Sequence, residues 1–335
     1  MPAWIEHAVF WHLYPFGFTG APIRPQTAPP LEHRLGHLTG WLDYAVELGA
    51  SALLLGPIFA SASHGYDTTD HFRIDPRLGD EADFDRLIEH ARARGLRVVL
   101  DGVFNHVGRS HPFVRDVLEH GGSSPKASWF RYTPEGELVT FEGHHGLVAL
   151  NGANPEVEAY VRTVMCHWLD RGASGWRLDA AYAMAPDFWA RVLPGVRERH
   201  PDAFIFAELI RGDYAGFVRA SGVDSVTQYE LWKAIWSALN DRNFFELSWA
   251  LDRHNGFLDR VVRVSATVRL LRLAEGRRGF TRFAHSLSAA RASNRIRILC
   301  GRFLPGRSGH SCSSAGSGKP PAGSGGWRAS ERPTG

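Results

Sequence analysis

The chain has 335 residues, enough to bury a sizeable core in one large domain. Its 44% hydrophobic content is ordinary for a globular protein. Three scattered cysteines argue against a disulfide framework, and no apolar run reaches the roughly 18–20 residues of a transmembrane helix. The net charge of +3 hides an asymmetry, because residues 261–335 carry 13 Arg and one Lys against two Glu, whereas residues 1–260 are net acidic. The N-terminus has no basic segment followed by an apolar stretch, so we expect no secretory signal and a cytoplasmic location.

Strand-like and helix-like segments alternate up to about residue 260. Short apolar runs of strand length lie at 8–14, 52–59, 96–103, 175–181, 203–209 and 225–230. Helical spacing of apolar residues lies between them, at 35–46, 84–91, 155–172, 187–199 and 213–220. The clearest helix begins with Pro155 after Asn154 and ends at Gly172, which are typical start and stop signals.

This alternation predicts an α/β fold with a parallel sheet and right-handed crossovers. A doubly wound open sheet fits the alternation too, but the chain lacks the glycine-rich first turn of its nucleotide-binding versions, so we favour a (β/α)8 TIM barrel. The barrel is expected to be incomplete, with about six strands and a short insertion domain after the third. The predicted parts are a first barrel segment at 1–106, the insertion at 107–154, a second barrel segment at 155–260, and an irregular basic tail at 261–335 with a helix near 263–273.

Three of the predicted strands end in one acidic residue each, namely Asp101, Asp179 and Glu208. An unpaired carboxylate is costly to bury, so its repetition at strand ends indicates one common face, the C-terminal rim where barrel active sites lie. Asp179 and Glu208 are 29 residues apart, about one strand-helix repeat, so we expect them on adjacent strands. Two carboxylates placed in this way are what cleavage of a glycosidic bond requires.

Five segments together resemble the alpha-amylase family of glycoside hydrolases (family thirteen), and most closely its neopullulanase and cyclomaltodextrinase-like members. The resemblance covers roughly residues 5–258. The matching segments are DGVFNH at 101–106, GWRLD at 175–179, FAE at 206–208, HGYDTTD at 64–70 and LVALN at 147–151.

The resemblance implies a role for each matched residue. Asp179 would be the nucleophile and Glu208 the general acid/base of a retaining reaction, which needs a raised pKa for the acid and a low pKa for the nucleophile. Arg177 would hold the Asp179 carboxylate ionised. The remaining predicted substrate-binding residues are Asp101 and His106, which would contact the sugar and the arginine, and Tyr66, which would stack on the sugar ring. Aromatic residues that could line sugar subsites, although packing is favoured for each, are Trp129, Phe130, Tyr182, Trp232 and Trp236.

No cofactor is predicted. Asn105 matches a calcium-binding position of many relatives, but the histidine that often supplies a further ligand after the nucleophile has no counterpart after Asp179. One oxygen ligand does not make a calcium site, which takes six to eight, so we favour Asn105 as a loop-stabilising residue.

The family's fourth region, an Asn-His-Asp triplet on the seventh strand, has no counterpart after Leu258. A basic nucleic-acid-binding tail is one interpretation of residues 261–335, but we favour a truncated or frame-shifted reading and expect no nucleic-acid or membrane partner. The predicted function is hydrolysis or transglycosylation of maltooligosaccharides, with α-1,4 or, alternatively, α-1,6 linkages, at an impaired rate. The alternative is a non-catalytic amylase-like protein that binds sugar or assembles with a partner.

Overall fold

The structure, a computed structural model, describes residues 2–242 and 244–260. The tail predicted at 261–335, with its helix near 263–273, lies outside these described residues. Within them, the helices are too short or too polar for any one of them to cross a membrane.

The described residues form eleven strands and ten α-helices, numbered in chain order. The strands are β1 Phe10–Leu13, β2 Ala52–Leu55, β3 Phe59–Ser61, β4 Thr68–Ile74, β5 Arg97–Gly102, β6 His106–Gly108, β7 Thr140–Phe141, β8 His144–Ala149, β9 Gly175–Leu178, β10 Phe204–Ala207 and β11 Ser225–Val226. The helices are α1 Pro15–Thr19, α2 Leu35–Thr39, α3 Leu42–Glu47, α4 Glu81–Ala93, α5 Pro112–His120, α6 Pro155–Asp170, α7 Pro186–Arg199, α8 Tyr214–Ser221, α9 Tyr229–Asp241 and α10 Phe245–Arg260.

Six strands form one sheet in the order β1-β2-β5-β9-β10-β11, and every neighbouring pair is parallel. The order follows the chain, with helices between successive strands, as parallel pairing requires. The predicted α/β barrel class, with about six strands, is thereby confirmed for the described residues.

The sheet is strongly curled. Phe10 on β1 lies close to Phe204 and Phe206 on β10, with ring centroids 6.1 and 6.5 Å apart. In a flat sheet, strands four places apart would be separated by about 19 Å. The concave inner side holds a small apolar cluster around these rings, whereas the outer side packs against the helices in a much larger core.

Three predicted elements differ from the structure. The strand predicted at 52–59 ends at Leu55, because Pro57 cannot donate to a ladder, and Phe59 instead begins β3, which pairs antiparallel with β4. The helix predicted at 35–46 is interrupted at Gly40 and forms α2 and α3. The strand predicted at 225–230 keeps only two residues, since Tyr229 already begins α9.

The segment between β5 and α6 leaves the barrel sheet. It contains α5 and an antiparallel sheet in the order β6-β8-β7. Glu142 and Gly143 form the two-residue turn between β7 and β8, with φ of +50° and +78°. Two positive φ angles match the twist of a hairpin, although asparagine, aspartate and glycine are the usual residues there.

Candidate active site

The three acidic residues lie at the ends of three adjacent sheet strands. Asp101 belongs to β5, Asp179 follows β9 and Glu208 follows β10. Arg177 on β9 is in register with Asp101 on one side and with Phe206 on the other. Because side chains alternate along a strand, Arg177 and Asp179 point to the same side. The inner side of the curled sheet thus receives one cation and three carboxyl groups.

Arg177 is the centre of this group. Its Nη1 donates to both carboxylate oxygens of Asp101, at 2.6 and 2.7 Å, and to Oδ1 of Asp179 at 3.0 Å. Its Nη2 lies 2.6 Å from Oε1 of Glu208. Arg177, Asp101 and Asp179 are 5%, 1% and 7% exposed. Three ionised carboxylates around one guanidinium would leave two uncompensated negative charges in a buried site, which favours retention of a proton.

Asp179 and Glu208 bind the two terminal nitrogens of one guanidinium. Since that group spans only a few ångström, their bound oxygens lie within about 9.5 Å, the outer limit for paired carboxyls in glycosidic cleavage. Gly175 permits the close approach of β9 to β10, because a Cβ there would lie 2.0 Å from the carbonyl oxygen of Phe204. The glycine of the GWRLD segment therefore serves the site through backbone packing.

Glu208 has two further partners that belong to no predicted motif. The Tyr229 hydroxyl donates to Oε1 at 2.7 Å, and the Ala180 amide donates to Oε2 at 3.0 Å. Ala180 directly follows Asp179 and has a left-handed backbone with φ of +45°. A non-glycine residue in this region is strained, and such strain is characteristic of functional sites. Both oxygens of Glu208 are thus held by donors.

The pKa order of the two candidate catalytic acids is the reverse of the predicted one. Burial, with Asp101 and Glu208 nearby, raises the pKa of Asp179 to about 8 despite Arg177. Burial also acts to raise the pKa of Glu208, but Arg177, Tyr229 and the Ala180 amide together lower it. Burial raises the pKa of Asp101 to about 6. In the ligand-free site the guanidinium is shared with Asp101 and Glu208, and the role of Arg177 in keeping Asp179 ionised stays a prediction.

This electrostatic arrangement predicts that Asp179→Asn stabilises the protein. Asp179 has a pKa of about 8 in the folded state against the ordinary value of 3.8, so between these pH values the folded state binds a proton that the unfolded state has lost. The contribution of Asp179 to the free energy of unfolding therefore falls as pH rises across that window. Asparagine carries no ionisable group, so the variant does not lose stability in this way at high pH. We expect Tm to rise by about 2–4 °C at pH 8, with a smaller rise at pH 5.

Thermal unfolding followed by circular dichroism at both pH values measures the effect. Asp252→Asn, at an exposed position of α10, is the control and should change Tm little at either pH. A fall in Tm for Asp179→Asn at pH 8 would contradict the buried-charge argument.

Tyr66 and His106 lie on the side of the site where Asp101 stands. The Tyr66 hydroxyl is 3.4 Å from Oδ2 of Asp101, and the Tyr66 carbonyl is 3.1 Å from Nε2 of His106. The His106 ring is 1% exposed and stacks on Phe141 at the tip of the β7–β8 hairpin, with centroids 4.5 Å apart. Burial lowers the pKa of His106 to about 4. In this arrangement the His106 ring is covered, and the half-buried Tyr66 lies nearer to the surface.

The same hairpin tip reaches the strand end on the other side of the site. The Tyr182 hydroxyl, three residues beyond Asp179, donates to Oε1 of Glu142 at 2.8 Å. Glu142 occupies a turn position where asparagine or glycine is usual. Sequence reasoning considered Tyr182 but missed Glu142. Of the other candidate aromatic residues, Trp129 and Phe130 are core residues.

Asn105 is 2% exposed, and its Nδ2 donates to Nδ1 of His106 at 3.2 Å. This contact agrees with a loop-stabilising role and offers the amide oxygen alone to a cation. In the part of the chain that the structure describes, the one group of histidine and acidic side chains close enough to share a metal ion is His33, Asp80 and Asp83. Asp80 and Asp83 cap the start of α4, which accounts for that group without a metal.

Comparison with known proteins matches the sequence profile of the alpha-amylase catalytic domain to residues 32–140. Neopullulanase 2 of Thermoactinomyces vulgaris is 35% identical over 253 residues, which cover 68% of this chain and 43% of that protein. A cyclomaltodextrinase of a Bacillus species is 33% identical over 258 residues, or 70% of this chain and 46% of that protein. The chain thus spans less than half the length of these curated relatives.

Among solved structures, the ligand-free cyclic α-maltosyl-(1→6)-maltose hydrolase of Arthrobacter globiformis superposes with a TM-score of 0.72 at 31% identity. The alignment covers 86% of this chain and 70% of that protein. The likeness therefore extends through most of the described sheet and helices.

Proposed function

The chain belongs to the alpha-amylase family of glycoside hydrolases, and from this membership we propose that it acts on maltooligosaccharide-type α-glucans by a retaining mechanism. The observation that carries the proposal is the convergence of Asp179 and Glu208 on one buried guanidinium, at the ends of adjacent strands. We propose the cytoplasm as its location, which cell fractionation can test.

In the proposed first step, a carboxylate oxygen of Asp179 bonds to the anomeric carbon while the glycosidic C–O bond breaks. Glu208 gives its proton to the leaving oxygen. In the second step, Glu208 takes a proton from water, the water oxygen bonds to the anomeric carbon, and the bond to Asp179 breaks. The anomeric configuration is inverted twice and thus retained.

The first step needs a protonated Glu208 and an ionised Asp179, which is the opposite of the pKa order in the ligand-free site. In the ligand-free site burial raises the pKa of Asp179, whereas Arg177, Tyr229 and the Ala180 amide lower that of Glu208. We propose that a bound sugar excludes water from Glu208 and displaces it from Arg177, which raises its pKa, while the freed Nη2 of Arg177 favours the ionised form of Asp179. The proton then resides on Glu208, where the first step needs it.

The direct test is turnover of the purified chain on maltotriose, a nitrophenyl maltoside and a cyclodextrin. Because the chain has no Asn-His-Asp triplet, we expect turnover well below that of full-length relatives, with the α-anomer of the product appearing first by NMR. Release of the β-anomer first would overturn the retaining mechanism. Calorimetric binding of maltose without any hydrolysis would favour the alternative, a sugar-binding or assembly protein.

A further inference from the structure

We propose that Tyr229 is a positioning residue for Glu208, holding the carboxyl group in both of its protonation states. This inference deepens the proposed function and rests on it. Tyr229 lies in none of the segments that resemble the family's motifs, and its hydroxyl donates to Oε1 of Glu208 at 2.7 Å.

The placement of Tyr229 follows from the short last strand of the sheet. Val226 pairs with Ala207, and Thr227 then ties the two chain segments together: its amide donates to the Ala207 carbonyl, and its hydroxyl bonds both the amide and the carbonyl of Leu209. The chain turns into α9 directly afterwards, which brings the hydroxyl of Tyr229 to Glu208. The contacts of Thr227 with Ala207 and Leu209 therefore fix the backbone next to both Tyr229 and Glu208.

The chemistry of Tyr229 differs from that of the other two partners of Glu208. The Arg177 guanidinium and the Ala180 amide can only donate, so they bond an unprotonated oxygen of Glu208 but cannot accept from its carboxyl proton. A phenolic hydroxyl can donate to a carboxylate or accept from a protonated carboxyl group. Burial, together with the nearby Glu208 charge, raises the pKa of Tyr229, so its own proton stays in place at working pH.

No other group bonded to Glu208 in the described residues can take over the hydrogen bond of Tyr229. The groups that face Glu208 are Arg177 and Asp179 from β9 and its end, Asp101 from β5, Tyr182 after β9 and Tyr229 from α9. Among the groups that bond the Glu208 carboxyl group in the described residues, Tyr229 alone can reverse the direction of its hydrogen bond. It is therefore suited to hold Glu208 as the proton leaves and returns.

The test is an NMR titration of the Glu208 carboxyl carbon in protein labelled with ¹³C-glutamate, with the signal assigned by its loss in Glu208→Gln. Tyr229→Phe should raise the pKa of Glu208 by about 1–2 pH units, because the variant loses both hydrogen bonds and the charge-assisted bond to the ionised form is the stronger one. The matched control is Tyr160→Phe, which removes a partly buried hydroxyl contact to His71 and should leave the pKa of Glu208 unchanged.

A purely structural role for Tyr229 would lower Tm without moving the pKa of Glu208, and an unchanged pKa in folded Tyr229→Phe overturns the proposal. If that variant does not fold, 3-fluorotyrosine inserted at position 229 keeps the ring and makes its hydroxyl a stronger donor. It should lower the pKa of Glu208, and the opposite shift would overturn the proposal. Neither measurement requires turnover, so a failure of hydrolysis is separate from a failure of this inference.

Discussion

Arg177→Met is expected to lower the free energy of unfolding by about 3–5 kcal/mol at pH 7.5, as removal of one partner from a buried ion pair does. The guanidinium contacts three carboxyl groups in a site where Arg177 itself is 5% exposed. Methionine fills much of the same volume but supplies neither the charge nor the donors. The carboxyl groups must then take up protons, so the loss should be smaller at pH 5. Urea unfolding followed by circular dichroism at both pH values measures it.

The control for this prediction is Arg199→Met. Arg199 also binds a carboxylate, Asp170, through two nitrogens, but its side chain is 62% exposed. An exposed pair contributes about 0–1 kcal/mol, so the control should unfold almost as the parent does. Equal losses for the two variants would mean that Arg177 does not carry the charge balance of the site.

Glu208→Gln is expected to reduce kcat on maltotriose by about 10²–10⁴-fold, the usual contribution of a general acid. A nitrophenyl leaving group needs little protonation, so the same variant should lose far less in the first chemical step on a nitrophenyl maltoside. Asp179→Asn removes the nucleophile and should be inactive on both substrates. Single-turnover kinetics on the two substrates separates these patterns.

The outcome also decides between two assignments of the acids. If Asp179→Asn, and not Glu208→Gln, is the variant spared by the nitrophenyl substrate, the two roles are exchanged, as their resting pKa order would then suggest. Glu158→Gln is the control, because Glu158 pairs with Arg191 on the outer helices and should leave both rates unchanged.

The features that the sequence could predict are those with a local signal. α6 has its N-cap at Asn154, its first-turn Pro155 and its stop at Gly172, and the structure places the helix between them. The acidic strand ends were predictable because a lone carboxylate after a buried strand conflicts with burial unless a site uses it. Periodicity then placed Arg177 and Asp179 on the same side of β9.

The features that could not be predicted depend on tertiary contacts. Tyr229 lies within the strand predicted at 225–230, and only the contacts of Thr227 with β10 and Leu209 show where that strand ends. The pKa order of Asp179 and Glu208 depends on how one guanidinium divides its nitrogens among three acids. Glu142 carried a weak signal, since it precedes Gly143 in a two-residue hairpin turn, but its contact with Tyr182 joins distant segments.

The pairing of Asp101 with Arg177 also bears on how the chain acquires its fold during synthesis. The two residues are 76 positions apart, so a ribosome releases β1, β2 and β5 well before the cation exists. Until then, close docking of β5 would bury a carboxylate with no counter-charge, which disfavours a tightly closed N-terminal intermediate. Emergence of β9 removes this penalty at the moment when the next strand becomes available. Arg177 would therefore also determine when β5 docks closely into the sheet during synthesis.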